Sequence, residues 1–156
     1  MTDGQLQPVD EGVSYVIRTE PHILEGMDEW CTRTHSQTGL YAACLDEACS
    51  HPHLDVRTAI LAYVLDRVPT PRKACLAGSS VHADKMFLVN EMPELMAHLH
   101  YRIVDVSTIK ELVRRWYGVS YQRPDTGILH RYVSRCLSQS TRRYPRIHSR
   151  YDIHTH

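Results

Sequence analysis

The sequence is missing the features that mark several large protein classes. Its longest unbroken apolar run, residues 59–65, falls far below the ~20 residues of a membrane-spanning helix. Its first residues, Met1-Thr2-Asp3-Gly4-Gln5, carry no basic segment leading into an apolar one, so no secretory signal is expected. No Gly-x-x-x-x-Gly-Lys or Gly-x-Gly-x-x-Gly stretch is present, which leaves a P-loop or Rossmann nucleotide site without support. There is no Gly-x-Ser-x-Gly nucleophile elbow and no internal repeat. The five cysteines (Cys31, Cys44, Cys49, Cys75, Cys136) are odd in number and irregularly spaced. They predict reduced thiols in an intracellular protein, not a disulfide framework.

Net charge is missing too: 18 Lys and Arg balance 18 Asp and Glu. That zero is a cancellation of two unlike blocks. Residues 1–117 hold 11 basic and 16 acidic side chains, whereas residues 118–156 hold 7 basic and 2 acidic. The second block also contains no Lys, Glu, Ala or Met. Charge and composition therefore change together at Gly118, in a chain whose length suits one ordinary domain. The expected organisation is one domain over 1–117 and a divergent, poorly ordered Arg/Ser/His-rich tail over 118–156. The basic excess marks that join and is not read as a nucleic-acid surface.

Within 1–117 the pattern alternates strands and helices. Val13-Ser14-Tyr15-Val16-Ile17-Arg18 is β-branched and aromatic and predicts a strand. Pro21 is placed to open a helix running to Trp30, and a second helix is expected over 40–49. The clearest amphipathic helix covers 54–68, with Val56, Ile60, Leu61, Val64, Leu65 and Val68 at helical spacing. Ala74-Cys75-Leu76-Ala77 predicts a buried strand, Gly78-Ser79-Ser80 a turn, and 82–90 a helix. Pro93 starts a further short helix, and 101–106 a strand. Thr108 and Glu111 stand at capping-box spacing for a last helix, with Ile109, Leu112, Val113 and Trp116 as its apolar stripe. Strand–helix alternation of this kind makes an α/β or α+β domain.

Two local constellations could carry chemistry. Cys44, Cys49, His51 and His53 are zinc-ligand types, but their spacing matches no standard structural zinc pattern, and both cysteines fall at apolar helix positions. Asp84 follows a strand and a small-residue turn, early in the next helix. That is where α/β folds place their sites, and also where a carboxylate simply favours the helix dipole.

Several blocks point further: Met27-Asp28-Glu29-Trp30, Arg33-Thr34-His35 with Gly39-Leu40, Met92-Pro93-Glu94-Leu95, His100-Tyr101-Arg102, Asp105-Val106-Ser107-Thr108, and Lys110-Glu111-Leu112-x-Arg114-Arg115-Trp116. In order and spacing, residues 2–116 resemble the oligoribonucleases, homodimeric 3'→5' exoribonucleases of the DEDDh class. The resemblance implies an α/β, RNase H-like fold with a mixed central sheet, incomplete here at the N-terminus. It implies short single-stranded RNA as substrate, a homodimer, no membrane association, and a cytoplasmic or mitochondrial location. It also implies two Mg²⁺ or Mn²⁺ ions on four carboxylates, with a His that activates water. Ions held ~3.5–4 Å apart activate the attacking oxygen and stabilise the leaving one.

Carried over residue by residue, Asp84 matches a metal ligand, and Tyr101 and His130 match catalytic residues. Trp30 and His35 match residues of the substrate cleft. Ser80, Arg102 and Ser107 match the cluster that holds a terminal 5' phosphate, for which the planar fork of Arg is suited. The departures bear on chemistry. An Asp-x-Glu pair, which supplies two of the family's carboxylates, occurs nowhere in this chain. Arg135 stands where the last Asp should follow His130, and Ser79 replaces an Asn. Little or no hydrolysis is therefore expected, with weak metal binding. The rival reading is a non-catalytic module that binds short RNA or dimerises.

Overall fold

The computed structural model describes residues 1–119. His130, Arg135, Cys136 and the expected tail lie outside the described residues. These residues divide into two compact units, 1–53 and 54–119.

The first unit opens with β1 (Val16–Ile17), then α1 (Pro21–Glu25), α2 (Glu29–Gln37), α3 (Leu40–Leu45) and β2 (Ser50–His51). The single helix expected from Pro21 to Trp30 is two. Pro21 begins the first, Gly26 closes it, and Asp28 caps the second by accepting the Cys31 N–H at 2.7 Å. That bond also holds the Asp28 carboxyl below its ordinary range. The helix expected over 40–49 stops at Leu45, because Asp46 folds the chain into a turn. Its side chain accepts the Ala48 N–H (2.9 Å), and its carbonyl accepts the Ser50 N–H (2.8 Å) and the Ser50 hydroxyl (2.8 Å). β1 and β2 pair in parallel, Val16 with Ser50 and Ile17 with His51. Val16, Leu24, Ala43, Cys44 and Cys49 form the core, with Met27, Leu40 and Tyr41 packed on it. Cys44 and Cys49 thus work as small apolar side chains, and burial pushes the Cys44 thiol up, against a hydrogen bond with Thr19.

The second unit carries α4 (His53–Arg67), which starts at the boundary, then β3 (Cys75–Gly78), α5 (Val81–Glu91), α6 (Pro93–His98), β4 (His100–Asp105) and α7 (Val106–Tyr117). β3 and β4 are parallel. The expected mixed sheet is represented among the described residues by these two separate parallel pairs. The one antiparallel pairing among them is an isolated bridge between Thr2 and Pro8. Parallel neighbours need a crossover connection, and the helices between the strands of each pair supply it.

One side-chain expectation is corrected. β3 is only partly covered, with Cys75 and Ala77 exposed, so it is not the buried strand its apolar run suggested. The apolar stripe of α7 is open at its two ends, Ile109 being 53% and Trp116 69% exposed, while Leu112 and Val113 are half-buried. An apolar stripe specifies a helix and the face it would bury, but burial requires a neighbour.

Candidate functional site

The site is built by the register of β3 against β4. Leu76, Ala77 and Gly78 pair with Ile103, Val104 and Asp105, so both strands end at the same level. The chain leaving β3 (Ser79, Ser80) therefore lies beside the chain leaving β4 (Asp105 to Ser107). A Cβ on Gly78 would meet the Val81 side chain at 3.3 Å, so glycine lets the two elements approach closely there.

One register step earlier the ladder is irregular. Cys75 pairs with His100 but Leu76 with Ile103, so Tyr101 and Arg102 are extra residues on β4 without a ladder partner. A bulge turns side chains out of the regular alternation, and Tyr101 is 70% exposed. Other groups take up the freed backbone: Lys85 Nζ donates to the Tyr101 carbonyl (2.9 Å), and the Arg102 N–H donates to His100 Nδ1 (3.1 Å). The Tyr101 ring stacks on His100, centroids 4.5 Å apart, and the Arg102 guanidinium lies 5.4 Å from the Tyr101 centroid.

At the strand ends, Asp105 is the hub. Its Oδ1 accepts the Ser80 N–H (2.9 Å) and the Ser107 N–H (2.8 Å), and its Oδ2 lies 3.3 Å from His82 Nδ1. Three hydroxyls gather around it: Ser107 Oγ is 3.0 Å from Ser80 Oγ and 3.1 Å from Ser79 Oγ, and it accepts the Ser80 N–H at 2.9 Å. Burial alone would raise the Asp105 carboxyl, but the bonds from Ser107, His82 and Ser80 outweigh it and hold it below its ordinary range. It is therefore ionised, and can only accept.

Of the family-matching residues, the structure brings Ser80 and Ser107 into direct contact and places Tyr101 and Arg102 together on the β4 bulge. Asp84 is exposed in the first turn of α5. Trp30, 62% exposed, and His35, half-buried, are on α2 in the first unit. His130 lies outside the described residues.

Asp105 and His82 were missed. The Asp-x-Ser at the end of a predicted strand was a readable cap signature. Reading Thr108 and Glu111 as a capping box concealed it. Asp105 is the N-cap of α7, while Glu111 bonds Arg114 and Arg115 instead. His82 carries no such signature, because its role depends on where α5 starts.

The donor set does not fit a two-ion centre. Among the described residues no group of three or more His, Cys, Asp or Glu side chains could hold a metal. Asp105, the carboxylate at the strand ends, has both oxygens engaged by protein groups. Nor do Cys44, Cys49, His51 and His53 converge: two are in the core, and His51 packs edge-on to Tyr15, centroids 5.7 Å apart. No helix among the described residues is long and apolar enough to cross a membrane.

Residues 1–133 match the family described as Exonuclease, a match that runs past Gly118. The chain is 46% identical over 119 residues to the "Probable oligoribonuclease" of Schizosaccharomyces pombe, covering 74% of this chain and 45% of that protein. It is 39% identical over 132 residues to the human "Oligoribonuclease, mitochondrial" (84% and 54%), and 46% over 122 residues to the "Oligoribonuclease" of Streptomyces griseus (78% and 59%). The chain spans about half the length of these relatives. The residue blocks, the parallel α/β pairing and these matches agree, and the chain belongs to the oligoribonuclease family of RNase H-like exonucleases.

Proposed function

We propose that this 156-residue chain binds the 5'-phosphorylated end of very short single-stranded RNA, the substrate class its family's name implies, and hydrolyses it little. By their match to the family, Ser80, Ser107 and Arg102 are the phosphate-binding residues; Ser80 and Ser107 meet at the strand ends, and Arg102 shares the β4 bulge with Tyr101. The observation that carries this reading is the hydroxyl cluster at the paired strand ends, where polar hydrogens converge without a metal-ligand set around them. The family chemistry uses Mg²⁺ or Mn²⁺ on several carboxylates; here Asp84 is the carboxylate that matches, and Arg135 stands where another should be. One charged oxygen ligand is a poor site for a cation that prefers several.

The test has two arms. Without metal, a 5'-phosphorylated diribonucleotide is expected to bind, and Arg102→Ala to weaken it. With Mn²⁺, turnover of a labelled diribonucleotide is expected to be negligible. Turnover abolished by Asp84→Ala would overturn the second half of the proposal. A second reading, a dimerisation module that pairs with a second copy, is favoured by the 70% exposed Tyr101 and the 44% exposed Val104 on β4. Sedimentation of the full chain, alone and with Tyr101→Ala, separates it from a monomeric binder.

A further inference from the structure

The hydroxyl cluster contains more oxygens than free protons, and counting them assigns roles. Each Ser hydroxyl has one proton to donate and two lone pairs. Ser107 Oγ already accepts the Ser80 N–H, so it has one lone pair left for its two hydroxyl neighbours. It can therefore accept from only one of Ser79 and Ser80, and its own proton goes to the other or to the Asp105 carboxylate. Two of the three protons are spent inside the cluster. The remaining one, on Ser79 or Ser80, is available to an outside acceptor. Ser107 is thereby a relay and not the outward donor.

This arrangement exists because something holds Ser80. Its backbone is left-handed (φ 57, ψ 33), a region that a residue with a Cβ adopts only at a steric cost. No side chain of its own caps α5. The Asp105 carboxylate supplies the restraint, because a single oxygen takes both the Ser80 and Ser107 N–H groups and so fixes the ends of α5 and α7 against each other.

We propose that Asp105 is the positioning residue of this site: it sets the Ser80–Ser107 pair so that one hydroxyl faces the terminal phosphate, acting by geometry and not by its charge. The inference rests on the phosphate-end reading above. Its charge by itself opposes an anion, so the two contributions have opposite signs and can be separated. Asp105→Asn keeps an acceptor oxygen at the same place and removes the charge. Asp105→Glu keeps the charge and displaces the oxygen by one methylene.

The experiment measures, on the full chain without metal, the ratio of affinities for a 5'-phosphorylated and a 5'-hydroxyl dinucleotide. Asp105→Asn is expected to hold that ratio at or above the parent value. Asp105→Glu is expected to lower it by about tenfold, the scale of one charge-assisted hydrogen bond. Loss of the ratio in the Asn variant, or its retention in the Glu variant, overturns the proposal. If Asp105→Glu fails to fold, the Asn variant alone decides. Amide exchange at Ser80 and Ser107 gives a readout without ligand: slow in the parent and in Asp105→Asn, fast in Asp105→Glu. A parent with protected amides but no phosphate preference refutes the phosphate-end reading while leaving the positioning role standing. Unprotected amides in the parent refute the positioning role itself.

Discussion

The two units bury different things. In residues 1–53 five buried side chains, Val16, Leu24, Ala43, Cys44 and Cys49, join into one cluster, and the strands it supports are only two residues long. In residues 54–119 the strand pair is longer, yet its faces are open: Tyr101 and Val104 on β4 are 70% and 44% exposed, and Phe87 on α5 is 71% exposed. Buried apolar residues there are Val81, 2% exposed and beside Gly78 at the end of β3, with Val56 and Val64 on α4 and Met92, Leu95 and Leu99 around α6. What links the two strand ends to each other is polar: the Asp105 hub and its serines, set beside the buried Val81. The first unit is thus ordered by an apolar cluster, and the strand ends of the second by hydrogen-bond geometry around one buried valine.

The strongest way to break that comparison is to truncate apolar side chains in both. Leu24, 7% exposed, sits in the cluster, and Leu24→Ala is expected to cost about 2–4 kcal/mol through lost burial and the cavity left behind. Phe87→Ala removes a larger ring from an open face and is expected to stay within about 0.5 kcal/mol. Chemical denaturation of both variants checks this. Equal losses would show that the second unit hides an apolar face against a partner.

Backbone strain gives the next effect in size. In the second unit two positions have left-handed backbone next to a helix end: Gly118, φ 67, closes α7, and Ser80, φ 57, opens α5. Gly118 has open space around it, so Gly118→Ala meets no clash and costs only the conformational penalty, about 1 kcal/mol. Ser80→Gly removes the same penalty and is expected to stabilise by a similar or smaller amount. Opposite signs in thermal melts of the two variants would confirm that Ser80 is held in place against its own preference. A destabilising Ser80→Gly would mean that the serine hydroxyl contributes more to the fold than the strain removes.

Much of this was legible in the sequence, for reasons that residues make plain. Proline and β-branched residues punctuate strongly, so α6 begins at Pro93 as read, and β4 and α4 fall within a residue of expectation. The alternation of elements gave the α/β class, and the residue blocks gave the family. What stayed hidden depends on register. Nothing local in His100-Tyr101-Arg102-Ile103 signals that two residues will drop out of the ladder, because that follows from which residue of β3 stands opposite. Asp105 was passed over as part of a matching block, since its hub role exists only once Gly78 is its ladder partner. The fate of the α7 stripe was equally invisible: periodicity states which face is apolar, never whether that face is covered.

The smallest effect tests whether polar geometry also orders α7 at the surface. Glu111, an exposed side chain, accepts from Arg114 Nε (2.9 Å) and Nη2 (2.7 Å) and from Arg115 Nε (2.7 Å). The bonds from Arg114, then Arg115, push its carboxyl down to about 2 from an ordinary 4.5. A carboxyl lowered in the folded state stabilises that state above its ordinary range, and the contribution disappears as pH falls from about 4.5 toward 2. Helicity of α7 is therefore expected to weaken slightly across that interval. In Glu111→Gln the step should vanish, and about 0.5 M salt should shrink it in the parent by screening exposed charges. NMR titration of the Glu111 side chain reads the same event directly. A midpoint near the ordinary value would mean that the two arginines leave the carboxylate to water, and that α7 is held by its caps at Asp105 and Gly118 alone.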